Sequence, residues 1–359
     1  MPQQTREKFG SLWRILLFGV SLYLFVLALE MIKNGAGSLS ELVRLEELAQ
    51  AGGVGTLSTF GLGWFLACIV LSGSPVAALS LSFLAVGALT PHASFAMVMG
   101  SRVGASFVVL AIGFLYDLRS KQAKGGTYVG ALAFLTTASI YVPAWGVGSL
   151  LVDAEWLQQL DVGSLGLVSM FDVVLGLPLR LIGELPGWTQ ALAGIGLLIG
   201  AFKMFDVALP TIDPTGGELG RMATTIYRPS VAFALGMLVT AITLSVSVSL
   251  TLLVPLTVRG IVRRENLIPF ILGANITTFM DTLVTSLIVG KEAFAVVVCA
   301  VLVVLALSLP TVLLFYRPYE WCIDSGATWL TQKGSRLALF VVLLLTVPFC
   351  LILLGLGAK

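Results

Sequence analysis

Charge is what this sequence has least of: only 11% of its 359 residues are Asp, Glu, Lys or Arg, less than half the quarter usual in globular proteins. Twenty-one basic and 19 acidic side chains leave a net charge of +2, which excludes a basic nucleic-acid binder and an acidic disordered tail. Cys68, Cys299, Cys322 and Cys350 are scattered with no CxxC, and His92 is the single histidine, so neither a disulfide framework nor a structural zinc site is credible. No Walker sequence is present, and direct drive by ATP is not expected. What remains is apolar, at 57% of residues and a mean hydropathy of +1.00. Lipid is the solvent for most of this chain. Its long unbroken apolar runs exclude an outer-membrane barrel, whose strands alternate.

Crossing about 30 Å of hydrocarbon takes roughly 20 helical residues. Asp, Glu, Lys and Arg vanish over 15–29, 51–101, 103–116, 125–152, 187–202, 229–258, 266–280, 293–316 and 337–358. The first stretch reads as a retained span, because no AxA-like site follows it before Glu30 and Lys33. The stretch 51–101 as one helix would be about 77 Å long at 1.5 Å per residue, more than twice the membrane core. It must fold back. Ser72-Gly73-Ser74-Pro75 is where the chain would break, since Gly and Pro interrupt helices and hydroxyls satisfy the freed backbone. The expectation is a re-entrant or broken-helix hairpin over about 60–86, then a span over about 94–116.

Sliding the chain by 173 residues aligns Gly63 with Gly236, Leu71-Ser72-Gly73-Ser74 with Leu244-Ser245-Val246-Ser247, and Gly100-Ser101-Arg102-Val103-Gly104 with Gly273-Ala274-Asn275-Ile276-Thr277. The chain therefore divides into two repeats, 1–186 and 187–359, the second with its own hairpin over about 233–259. Basic residues change ends between them. In the first half the hairpin-to-span connection at 86–93 has no Lys or Arg and the loop at 117–124 carries Arg119, Lys121 and Lys124, whereas in the second the hairpin-to-span connection carries Arg259, Arg263 and Arg264. By the positive-inside rule the halves are upside down relative to one another, an architecture frequent in secondary transporters. The segment 163–186 either lies along the outer surface or crosses with its charges paired.

The block Gly61 to Phe107, and more clearly Gly236 to Gly290, resembles the type II sodium-dependent phosphate cotransporters and their bacterial relatives. In that family each inverted half carries Gln-Ser-Ser-Ser within a re-entrant hairpin, followed by Gly-Ala-Asn-Ile-Gly-Thr-Thr. Here Gly273-Ala274-Asn275-Ile276-Thr277-Thr278 is close to the second of these, and Leu24 to Met31 looks like the opening helix. The chain departs from the pattern at Leu71 and Leu244 for glutamine, at Gly73 and Val246 for the middle serine, and at Arg102 for asparagine.

The resemblance implies an all-α, multi-pass protein of the bacterial inner membrane, not an enzyme. It implies symport of phosphate or a similar inorganic anion with sodium, with the bilayer and the anion as partners and self-association left open. Candidate binding residues are Ser72, Ser74, Ser245, Ser247, Ser249, Asn275, Thr277 and Thr278, of which Ser74, Ser247, Asn275 and Thr278 are candidate sodium ligands. Sodium takes hard oxygens from hydroxyls and unwound carbonyls, while anions favour half-helix amino termini. Arg102 and Asp281 interrupt otherwise neutral stretches, where an isolated charge costs about 2.5–3.5 kcal/mol. Arg102 is either a fixed counter-charge for an anion or the partner of Asp281. Asp281, if unpaired, is a proton- or sodium-coupling group. Two other readings stay open: a sodium-independent anion exchanger or exporter, and a membrane interaction protein that transports nothing. His92 is expected in a solvated loop. Trp13, Trp145, Trp156, Trp188, Trp321 and Trp329 are expected near span ends.

Overall fold

The computed structural model describes residues 3–43, 53–119, 125–160, 178–180, 182–208, 229–258 and 262–357. The segment 163–186 falls mostly outside them. Every regular element among the described residues is helical. Six stretches are long and apolar enough to cross a membrane: Trp13–Gly35, Pro91–Leu118, Gly126–Ser149, Arg264–Val289, Lys291–Leu313 and Gly334–Gly355. The chain is an all-α, multi-pass membrane protein, as its charge gaps predict.

The first half comprises α1 (Gln3–Val43), α2 (Gly53–Val70), α3 (Ser74–Ala85), α4 (Pro91–Ala105), α5 (Phe107–Arg119) and α6 (Gly126–Ser149), followed by the single turn α7 (Glu155–Gln158). The second comprises α8 (Gly187–Ala208), α9 (Pro229–Thr243), α10 (Val246–Val258), α11 (Leu267–Thr277), α12 (Phe279–Val289) and α13 (Lys291–Leu313). Two helices close the chain, α14 (Tyr316–Thr331) and α15 (Gly334–Gly357).

Both breaks fall where the serines predict them. Leu71 and Leu244 end α2 and α9 in the left-handed region, with φ of +58° and +48°. Holding a non-glycine residue there costs of order 1–3 kcal/mol, which surrounding packing must offset. The arms that follow are short: α3 has 12 residues and α10 has 13, or about 18–20 Å of helix, too little to cross alone. The expected span at 94–116 is present within Pro91–Leu118, with a one-residue interruption at Ser106, whose hydroxyl donates to the Val103 carbonyl at 2.6 Å. The same one-residue turn recurs at Thr278.

Glycine sets the spacing inside each half. A Cβ on Gly63 would lie 2.1 Å from the Met97 carbonyl oxygen, and one on Gly100 would lie 2.0 Å from that of Phe60, so α2 and α4 touch backbone to backbone. At the 173-residue offset, Gly236 meets Phe270 and Gly273 meets Phe233, each at 2.0 Å. Small residues allow this approach, and in lipid such packing replaces the hydrophobic drive that water would supply.

Contacts between halves follow the same pattern. Helix α3 packs on α12, α10 on α5, and α1 along α8. Two clusters mark the ends of the bundle. At one, Asp117 caps α6, its carboxylate accepting from the amides of Gly125, Gly126 and Thr127 at 2.8–3.0 Å. Beside it, Arg264 lies 5.0 Å over the Tyr128 ring, and Tyr316 donates to the Glu265 carbonyl at 2.5 Å. At the other, His92 approaches Asp153 at 3.6 Å, and Pro91, Asp153, Lys291 and Glu292 line a cleft of about 310 Å³. Thus α4–α5 runs from the His92 end to the Asp117 end, and α11–α12 runs the opposite way.

His92 lies in the first turn of α4 rather than in a loop, because Thr90 caps that helix by accepting from the Ala93 amide at 3.2 Å, with Pro91 at its first position. Trp13, Trp156, Trp188, Trp321 and Trp329 are all exposed, whereas Trp145 is half-buried with its ring 5.0 Å from that of Phe60. Burial varies steeply among the spans. The window of Pro91–Leu118 is 83% buried and that of Gly334–Gly355 11%, which puts α4–α5 at the centre and α15 at the lipid face.

Gly100→Ala and Gly236→Ala are each expected to destabilise the fold by about 1–3 kcal/mol through overpacking, seen as a lower unfolding midpoint in detergent. Gly196→Ala, with nothing within 4 Å of the added carbon, should hold or raise the midpoint, since alanine is the better helix former by about 0.8–1 kcal/mol.

Candidate functional site

The break after Leu71 is pressed against α4 one residue from Arg102: a Cβ on Gly73 would lie 2.9 Å from the Ser101 carbonyl oxygen. This puts Ser74, at the start of α3, within reach of the Arg102 side chain. Arg102 is 3% exposed. Its Nη1 donates to Ser74 Oγ at 3.5 Å and to Thr278 Oγ1 at 3.2 Å. Nη2 donates to Thr282 Oγ1 and lies 3.5 Å from Asp281 Oδ1. The guanidinium stacks 5.0 Å from the centre of the Phe279 ring, a contact worth about 2 kcal/mol when desolvated. One cation from the first half is thereby wrapped by residues 278–282 of the second.

The geometry is not that of a closed salt bridge. Arginine and a carboxylate commonly meet through two parallel bonds of about 2.7–2.9 Å, and here one longer contact is made. Asp281 Oδ1 also accepts from Thr282 Oγ1 at 2.8 Å. Arg102 Nε and Asp281 Oδ2 are buried with no hydrogen-bond partner among the described residues. The site is electrically neutral but under-satisfied, with one donor and one acceptor to spare.

Of the residues singled out from sequence, Ser74, Arg102, Thr278 and Asp281 come together. The hydrogen bonds of the others run elsewhere. Asn275, at the position matching Arg102, is 2% exposed; its Nδ2 donates to Thr137 Oγ1 at 3.2 Å, and its carbonyl accepts from the Tyr141 hydroxyl at 2.7 Å. Ser249 bonds with Thr243 at 2.8 Å and donates to the Ser245 carbonyl at 2.9 Å, tying down the second break. Thr277 bonds back to the Gly273 carbonyl at 3.3 Å, within its own helix. Ser72 and Ser247 are half-buried at the two breaks.

Thr282, Phe279, Thr137 and Tyr141 belong to the site and its surroundings without having been marked in the sequence. A signal existed for the first. Thr282 and Thr278 are four apart and share a helix face with Asp281 beside them, so a charge at 281 pointed to hydroxyls at that spacing. Compared with protein-family models, curated proteins and solved structures, the chain matches none.

Arg102→Leu leaves the Asp281 carboxylate buried without a cation, and is expected to cost about 3–5 kcal/mol of stability. Adding Asp281→Leu should recover most of that loss. Thermal unfolding of the two single variants and the double variant in detergent reads the coupling directly; a double-variant loss equal to the sum of the two single losses would deny it.

Proposed function

We infer that this chain is a secondary active transporter of the cell's inner membrane that carries phosphate or a similar inorganic anion in symport with sodium. Its two repeats, 1–186 and 187–359, are of inverted topology, each with a re-entrant hairpin, and they alternate the exposure of a site held between them. The observation that carries this reading is Arg102, a buried cation enclosed by the helix break of its own half and by Thr278, Asp281 and Thr282 of the other. A fixed guanidinium ringed by hydroxyls is oxyanion-recognition chemistry. The opposite running of α4–α5 and α11–α12 supports inversion, and so does the recurrence of both breaks at one offset.

Cations carried with the anion supply the drive. Each net positive charge moved inward gains about 2.3 kcal/mol per 100 mV of membrane potential. A second reading, sodium-independent anion exchange, is favoured by one feature: the charge on Arg102 is permanent, so part of the countercharge is built into the protein.

Uptake of labelled orthophosphate into proteoliposomes is the test. An inward sodium gradient should stimulate it several-fold. Phosphate exchange that ignores sodium would favour the second reading, and no flux of phosphate or sulfate under any gradient would refute both. Arg102→Leu should raise the phosphate KM by more than about tenfold, the scale of one lost charge-assisted contact, while Ser74→Ala should have a smaller effect.

A further inference from the structure

Arg102 already holds an anion, and that anion is part of the protein. The edge of a guanidinium formed by Nε and Nη2 is one on which two parallel N–H···O bonds are made to an oxyanion. In this site the edge is half used: Nη2 is engaged by Thr282 and Asp281, and Nε is buried without a partner among the described residues. An incoming oxyanion gains both bonds only by displacing Asp281. Once displaced, the carboxylate is an ionised group in a buried site facing a second negative charge, with a single arginine to answer both. A small cation on Asp281 removes the conflict, and its Oδ2, which also lacks a partner among the described residues, is free to receive it.

Resting on the carrier reading above, we propose that Asp281 is a tethered competitor for the transported anion and that the coupling cation, a sodium ion or a proton, is the one that neutralises Asp281 when the anion takes Arg102. Anion alone leaves two negative charges against one positive. Cation alone strands the guanidinium. Only the empty site and the doubly loaded site are compensated, which is the condition for obligatory symport. Among the described residues, the elements packed around this pair offer no other charged group in its place. Helix α3 contributes no ionisable side chain, and neither does α11. Tyr141 of α6 donates its hydroxyl to Asn275. From α13, the Cys299 thiol is turned to the Gly148 carbonyl at 3.8 Å, and Lys291 and Glu292 line the cleft at the end of the bundle.

Equilibrium binding of labelled orthophosphate to the purified full-length chain tests the proposal, with sodium titrated at fixed pH and pH varied without sodium. Wild-type binding should require one of these cations, and which titration produces it identifies the source. Asp281→Asn should bind phosphate about tenfold more tightly in cation-free buffer, within the range typical of coupled sites, and should lose the response to that cation. The ionisation of phosphate itself is common to both proteins, so their difference reports on residue 281. Asp281→Glu should keep the response. By reciprocity, phosphate should raise the wild type's affinity for the cation by the same factor, a measurement that needs no variant. An Asp281→Asn protein with wild-type cation dependence, or a wild type in which phosphate leaves cation affinity unchanged, overturns the proposal and leaves the carrier reading standing. A wild type that binds no phosphate under any condition removes both.

Discussion

A guanidinium buried among apolar helices must be compensated where it lies, because it is only 3% exposed and the cost of leaving it bare is several kilocalories per mole. Most features near the centre of this protein follow from that requirement. The chain breaks at Leu71 instead of continuing as helix, and the break brings Ser74 to the cation. The opposing half turns at Thr278, so that the cap residue's hydroxyl and the side chains of Phe279, Asp281 and Thr282 in the next turn are presented together. Arg102 thus joins the two halves more specifically than apolar contact could. Apolar surfaces in lipid have little preference for one another over the lipid itself.

Precision in that junction depends on the backbone contacts within each half. With α2 held against α4 through Gly63 and Gly100, the break at the end of α2 has little freedom relative to the arginine. The equivalent glycines fix α9 against α11 and hence the second break against Thr278. Packed without intervening side chains, each such pair has little room for relative adjustment.

The breaks were legible in the sequence because Gly, Pro and Ser interrupt helices for known reasons, and both charges were legible because they stand in neutral stretches. That Arg102 and Asp281 meet was one of two readings the sequence left open. The interruption at Ser106 was legible only as a glycine-containing segment ending at Gly104, because a serine bonded to the carbonyl three residues back looks like any helical serine in lipid. Nor was it legible that the Asn275 amide bonds to Thr137, since a motif fixes which residues lie on a helix and not which neighbour each one meets. His92 was misplaced although Thr90-Pro91 is a helix-start signal, because a charge gap marks the apolar part of a span and not the capped turn that precedes it.

The two halves match in their breaks and glycine contacts but not in charge. Position 275 holds an amide where position 102 holds a guanidinium, and Val108 stands where the offset would place a partner to Asp281. An amide is satisfied by the neutral hydroxyl it finds at Thr137. A guanidinium is not, and requires an acid. Arg102 and Asp281 are therefore interdependent, each destabilising without the other. Because they lie on opposite halves, the charge that one half brings to the centre is balanced only while the other half stays in contact. Loss of that contact exposes both groups at once, so the junction between the halves depends electrostatically on this pair of side chains.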